Sequence, residues 1–161
     1  MKLMHFIDII KFGVQKLKNY SANTQFKNKH PEIKLPPDYM MFEAFQLNYD
    51  KYYNGGKTTA NFIKTEIEIF TSLSNVNILD WGCGPARVLR HMPSIINNNC
   101  NFYGTDYNHN AIDWCANNIK GIDFRYNEIK PPLKFEANFF SAIYMYFYFH
   151  TFIRRKPLFM V

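Results

Sequence analysis

The segment from Val76 to Leu89 constrains this chain more than any other. A short apolar run, Val76, Ile78 and Leu79, ends in Asp80, and Gly82 and Gly84 follow one residue apart. The apolar run reads as a buried strand that leaves the core at the acid. Glycine at 82 and 84 permits positive φ and lets a ligand approach the backbone closely. Val88 and Leu89 predict a helix leading away from the loop, with its unpaired N–H groups and positive dipole end facing whatever sits there. Strand, acid, glycine turn and helix together are the parts of a nucleotide-type cofactor site.

Two patterns compete for the loop. The dinucleotide fingerprint G-x-G-x-x-G needs a third glycine where this chain has Arg87, a large side chain at a point of close helix–sheet packing. The pattern hydrophobic-hydrophobic-Asp-x-Gly-x-Gly-x-Gly is met by Asp80, Gly82 and Gly84, with Ala86 at the last glycine. That second pattern resembles the first motif of class I S-adenosylmethionine-dependent methyltransferases. An acid at the strand end suits a cofactor that carries an amino group. An ordinary strand–turn–helix could hold the same glycines, so the following segments decide.

Asn101–Asp106 reads as a second strand closed by an acid, 26 positions after Asp80. In a β-α-β unit this strand lies beside the first and brings Asp106 to the glycine loop, where a carboxylate can accept both hydroxyls of a ribose. Tyr107 and Asn108 follow where an adenine would stack and hydrogen-bond. Ala111, Ile112, Cys115 and Ile119 recur at helical spacing, with His109 or Asn110 as cap and Gly121 as the stop. Ile122–Tyr126 predicts a third strand leading to Asn127, which by resemblance contacts the adenine amino group. A loop with Pro131-Pro132 leads to a fourth strand, Phe140–Tyr144. The expected fold class is α/β, a Rossmann-like doubly wound parallel sheet with an incomplete C-terminal half.

The resemblance runs from about Leu35 to Tyr144 and is most specific at Gly82–Arg90, Tyr103–Cys115 and Pro131–Tyr144. Leu35-Pro36-Pro37 and Tyr53–Gly56 are similar to the family's lead-in, a helix and loop folded over the cofactor. Between Thr59 and Leu73, the residues Ile63, Ile67 and Phe70 give one apolar helical face to cover the sheet. The resemblance implies S-adenosylmethionine as cofactor, bound by Asp80, Gly82, Gly84, Asp106, Tyr107, Asn108, Asn127 and Tyr144. It leaves the methyl acceptor unidentified and assigns no catalytic residue, because acceptor-binding groups come from later segments.

The expected divisions are a basic, partly helical arm over 1–36, the cofactor-binding domain over 37–144 and an aromatic, basic tail over 145–161. Seven lysines against Asp8 and Glu32 place five of the six net positive charges before Leu35. Phe6, Ile9, Ile10, Phe12, Val14 and Leu17 make that arm a basic amphipathic helix. It either packs on the domain or makes weak contact with an anionic membrane surface. Nucleic acid is not expected as a partner, since basic residues and aromatics form no stacking module. Oligomeric state is left open. Cys83, Cys100 and Cys115 lack metal-ligand spacing, so no metal is expected, and thiols without a signal sequence point to the cytoplasm. No run is long and apolar enough to cross a membrane.

In the tail, aromatic residues crowd Met145–Ile153 without alternation, and Arg154-Arg155-Lys156-Pro157 follow. The resemblance implies a serine-bearing turn and a phrase like F-T-H-L-S there. Read one base later from Met145, codons compatible with these residues permit C-I-S-I-F-T-H-L-S-E-E-N-H-Y-L-W; the first cysteine and the last tryptophan are forced. A single-base slip that replaced the C-terminal half is therefore expected, with a naturally short chain as the alternative. The corresponding functional alternatives are a methyltransferase half, an inactive remnant or non-enzymatic interaction module, and a nicotinamide-dependent oxidoreductase, which Arg87 disfavours.

Overall fold

Proline placement and amide side chains shape the first third of the chain. The computed structural model describes residues 2–96, 99–128 and 133–146, and the chain divides into two compact units, Met1–Gly55 and Gly56–Val161. Helix α1, Lys2–Lys29, contains no proline and stops just before His30-Pro31, where the residue preceding a proline is biased away from helix. Pro36-Pro37 lies inside the first unit, and α2, Asp38–Ala44, starts directly after Pro37, whose carbonyl accepts the Met41 N–H. Helix α3, Tyr49–Phe70, begins there and runs on into the second unit.

The first unit has its own core of Phe26, Met41, Phe45, Leu47, Tyr49 and Tyr52. Three amides one turn apart on α1 satisfy the chain that enters α3. Gln15 Oε1 accepts the Leu47 N–H at 2.8 Å, and Asn23 Oδ1 accepts the Tyr49 N–H at 3.0 Å. Between them Asn48 Nδ2 donates to Asn19 Oδ1 at 3.1 Å. The Tyr49 hydroxyl donates to Asp38 at 2.6 Å, and Lys16 pairs with the other oxygen of that carboxylate at 3.2 Å. Burial favours the neutral form of Asp38, but Tyr49 and Lys16 outweigh it and hold the carboxyl below its ordinary value.

The second unit is built on four parallel strands: β1, Asn77–Trp81; β2, Asn101–Asp106; β3, Asp123–Tyr126; and β4, Ala142–Tyr144. Their order is β3-β2-β1-β4, the parallel Rossmann-like arrangement expected from the sequence. Asp80 lies opposite Gly104 and Tyr144, and Asp106 lies opposite Tyr126, so the acids stand at the carboxyl ends of the central strands. On one face Ile78, Phe102 and Tyr144 pack with Ala60, Ile63 and Ile67 of α3 and with Ile112 and Cys115 of helix α5, His109–Asn118. On the other, Tyr103 meets the rings of Phe135, Phe139 and Phe140 edge-on, and the Arg125 guanidinium lies 4.8 Å from the Phe135 ring.

Four expectations need correction. The helix expected directly after the glycine loop is absent: residues 82–88 run through turns to a 3-10 turn, Leu89–His91, and the short helix α4, Met92–Ile95. Positive φ at Gly84 (51°) and Ala86 (56°) holds that stretch out of the right-handed helix. Phe70 is 67% exposed at the end of α3, and Leu73 in the connection to β1 enters the core instead. Asn108, not His109 or Asn110, caps α5, its side chain accepting the Ala111 N–H at 3.3 Å. The third and fourth strands begin at Asp123 and Ala142 rather than at Ile122 and Phe140. Phe139 and Phe140 join the aromatic cluster. Pro131-Pro132 and residues 147–161 of the tail lie outside the described residues.

Candidate functional site

Carbonyl groups at the end of one strand can hold the loop that leaves its neighbour. The Thr105 carbonyl of β2 accepts both the Gly82 N–H at 2.7 Å and the Cys83 N–H at 2.9 Å. Asp106, next in the chain, takes the Gly84 N–H on one oxygen and the Asn108 N–H on the other, each at 2.8 Å. The carboxylate thus ties the glycine loop to the start of α5, and each oxygen keeps a further lone pair. Asn127 joins the same place through its backbone, its N–H donating to the Asp106 carbonyl at 3.1 Å.

Gly82, with φ of 79°, has open space where a side chain would stand, so positive φ alone demands glycine there. Ala86 adopts the left-handed conformation with a Cβ present, which costs about 1–2 kcal/mol. The loop turns two side chains inward: Cys83, between the glycines, and Ala86, two residues after them, are buried in the core. The thiols of Cys83 and Cys115 both point at the Gly84 carbonyl, at 3.5 and 3.6 Å. Burial raises the Cys83 thiol well above its ordinary value and pushes Cys115 up to about 12, so both are inert packing groups.

Asp80 is buried at the end of β1. Burial pushes its carboxyl up to about 7; the Tyr144 hydroxyl beside it opposes the rise, Asp106 adds to it, and Arg87 opposes it again. The Tyr144 hydroxyl is buried too, and burial raises it well above the usual phenol range, with Asp80 contributing further. A hydrogen-bond interaction between the two side chains contributes to both shifts, although the hydroxyl meets no acceptor in full hydrogen-bond geometry. Asn127 presents a second unmatched atom. Its Nδ2 donates to the Glu128 carbonyl at 2.8 Å, which fixes the amide and leaves Oδ1 as an unpaired acceptor. Buried polar atoms without partners are rare and point to a group that completes them.

Asp80, Gly82, Gly84, Asp106, Asn127 and Tyr144 therefore come together at the carboxyl ends of the strands, where ligands bind on open α/β sheets. Tyr107 follows β2 and is 63% exposed. Asn108 stands beside it, but its side-chain oxygen is engaged in the α5 cap. Three positions escaped the sequence reading. Thr105 is recognised only by its backbone role. A Cβ on Gly104 would come within 2.7 Å of Leu89 and 2.9 Å of Phe124, and one on Gly56 of α3 would collide with the Arg87 carbonyl oxygen. Glycine inside a strand or an amphipathic helix was the available signal for close approach. Among the described residues no cluster of His, Cys, Asp or Glu could hold a metal ion, and no helix is long and apolar enough to cross a membrane.

A family model described as a methyltransferase domain matches residues 78–159. Comparison with the curated proteins finds no match. A SAM-dependent methyltransferase from Aquifex aeolicus is similar in fold, at 13% identity and a TM-score of 0.50, over 70% of this chain and 57% of that one. Coclaurine N-methyltransferase, bound to N-methylheliamine and SAH, has 10% identity and a TM-score of 0.50 over 86% of this chain and 43% of its own. The plantazolicin methyltransferase BpumL has 22% identity and a TM-score of 0.48, with 85% of this chain and 49% of its own covered. The chain spans little more than half the length of the Aquifex aeolicus protein, and at these identities the likeness is one of fold.

Proposed function

Because this chain belongs to the methyltransferase-domain family, we propose that it binds S-adenosylmethionine at the carboxyl ends of β1 and β2 for methyl transfer to an acceptor. One observation carries the reading: Asp106, held by the N–H groups of Gly84 and Asn108, keeps free lone pairs beside a glycine loop open at Gly82. Such a carboxylate is arranged to accept the two hydroxyls of a ribose. Asn127 Oδ1, a buried acceptor left unpaired while Nδ2 donates to the Glu128 carbonyl, takes the adenine amino group, and the exposed Tyr107 offers a stacking surface. Asn108 contributes through its remaining amide N–H groups. Asp80, once ionised, pairs with the ammonium of the methionyl end, and the Tyr144 hydroxyl stands at the reacting end beside it. S-adenosylmethionine supplies an electrophilic methyl group on a sulfonium. The residues named here hold and orient the donor, and alignment of donor with acceptor is the main source of rate.

Calorimetric titration of the full chain with S-adenosylhomocysteine tests the reading. Saturable one-to-one binding is expected, weakened about 10- to 100-fold in Asp106→Ala through loss of charge-assisted hydrogen bonds, with a smaller loss in Asn127→Ala. Equal affinity in the wild type and in a folded Asp106→Ala variant would remove the assignment. Binding of a nicotinamide dinucleotide in preference would replace it with the oxidoreductase reading.

We propose in addition that the codons after Met145 are read out of frame, and that the shifted reading C-I-S-I-F-T-H-L-S continues the family pattern after β4. The cysteine forced directly after Met145, and the tryptophan forced at the far end of the longer reading, support this. Sequencing the gene past this point tests it. An open shifted frame that encodes further strand–helix units is expected, and a shifted frame that closes at once overturns the proposal.

A further inference from the structure

Helix α1 uses one face to build the first unit and leaves the other apolar. At 100° per residue, Phe12, Gln15, Asn19, Asn23 and Phe26 share the inner face, where their contacts with the loop before α3 and with α2 lie. Ile9, Tyr20, Phe6, Leu17, Ile10, Val14 and Ile7, in that angular order, cover about 160° of the opposite side. All seven are exposed, Leu17 most of all at 82%. The stripe ends at Tyr20: further along the same face come Ser21, Thr24 and Asn28. Seven large apolar side chains in one stripe exceed the scattered exposure usual on a surface.

Charge decides what can cover it. Lys11 and Lys18 border the stripe on one side and Lys16 on the other, and α1 holds six lysines against one acid, Asp8, which shares the angle of Phe26 on the inner side. Lys11 and Lys16 already pair with Asp8 at 3.9 Å and Asp38 at 3.2 Å, and a second copy of the same helix would set the lysine borders against each other without bringing a further acid of α1 to them. A convex stripe with cations along both margins instead matches a surface that is apolar inside and anionic at its rim.

We propose that α1 lies in the plane of an anionic lipid surface, inserting Phe6, Ile10, Val14 and Leu17 among the acyl chains while Lys11 and Lys18 meet the headgroups. The proposal is independent of the methyl-transfer reading. Its test is flotation of the full chain with phosphatidylcholine vesicles, prepared with and without phosphatidylserine. Binding to the anionic vesicles only is expected, falling at least about tenfold in high salt. Leu17→Glu and the pair Lys11→Glu/Lys18→Glu should each weaken it by a similar factor. These side chains are exposed, so the variants should keep the wild-type circular dichroism and thermal midpoint. Four outcomes overturn the proposal: no flotation, equal flotation with neutral vesicles, flotation unaffected by Leu17→Glu, or wild-type self-association that Leu17→Glu abolishes, which would assign the stripe to a protein partner.

Discussion

Asp80 is an acid placed where water cannot solvate its charge, and its ionisation therefore links pH to both ligand affinity and stability. With the carboxyl raised to about 7 by burial, the folded protein keeps a proton that the unfolded chain has released above the ordinary value near 3.8. Wherever the folded state binds more protons, stability falls as pH rises. Between pH 4 and 7 the ligand-free protein should lose up to about 1.4 kcal/mol per pH unit through this group. Urea midpoints in wild type and Asp80→Asn measure it, since the variant lacks that slope; parallel pH profiles would show that Asp80 titrates normally. Affinity for S-adenosylhomocysteine should move the other way, rising through pH 7 as the carboxylate forms to meet the ammonium, and staying flat in Asp80→Asn. Ala86 poses a different question at the same scale, because it holds φ of 56° with a methyl buried in the core. Ala86→Gly relieves about 1 kcal/mol of left-handed strain and gives up the methyl contact and some chain entropy. Denaturant melts should place it within about 1 kcal/mol of wild type, while Gly82→Ala acquires the strain with no gain; a large loss in Ala86→Gly would mean that packing outweighs conformation here.

Helix α3 carries two adjacent glycines whose surroundings are opposite. Nothing lies within 4 Å of a Cβ on Gly55, whereas one on Gly56 meets the Arg87 carbonyl of the glycine loop. Alanine is worth up to about 1 kcal/mol over glycine inside a helix, so Gly55→Ala should raise the thermal midpoint and leave affinity for S-adenosylhomocysteine unchanged. Gly56→Ala should push backbone against backbone, displace the loop and cost at least tenfold in affinity. Equal behaviour of the two variants would break the link between α3 and the loop. The sequence made β2 legible to its end residues, because an apolar strand closed by an acid has few other readings, and it placed Asp80, Gly82, Gly84 and Asp106 together through the β-α-β rule. What it concealed has physical causes. Val88 and Leu89 look helical, but left-handed φ at Ala86 cannot be read from an alanine, and it delays the α-helix to Met92, behind the 3-10 turn at Leu89–His91. The inner face of α1 is held by Gln15, Asn19 and Asn23, and hydrophobic periodicity does not register amides that act as backbone acceptors.

On the scale of the whole molecule, two cores divide the apolar side chains: one around Phe26, Met41 and Tyr52 in the first unit, the other between α3, α5 and the sheet in the second. Every residue proposed to hold the cofactor, from Asp80 to Tyr144, belongs to the second. A ligand stabilises the structure that binds it by RT ln(1 + [L]/Kd), about 2.7 kcal/mol at a hundredfold excess over Kd. That stabilisation reaches other amides only as far as their opening requires the site to open. Hydrogen exchange with and without S-adenosylhomocysteine should therefore slow amides of β1, β2 and the glycine loop by up to about a hundredfold. Amides of α1, tied to the loop before α3 through Gln15 and Asn23, should change by less than about threefold. Equal protection along both units would show that they open together and that the separate cores fold as one cooperative body. Protection confined to α1 would put the ligand somewhere other than the strand ends.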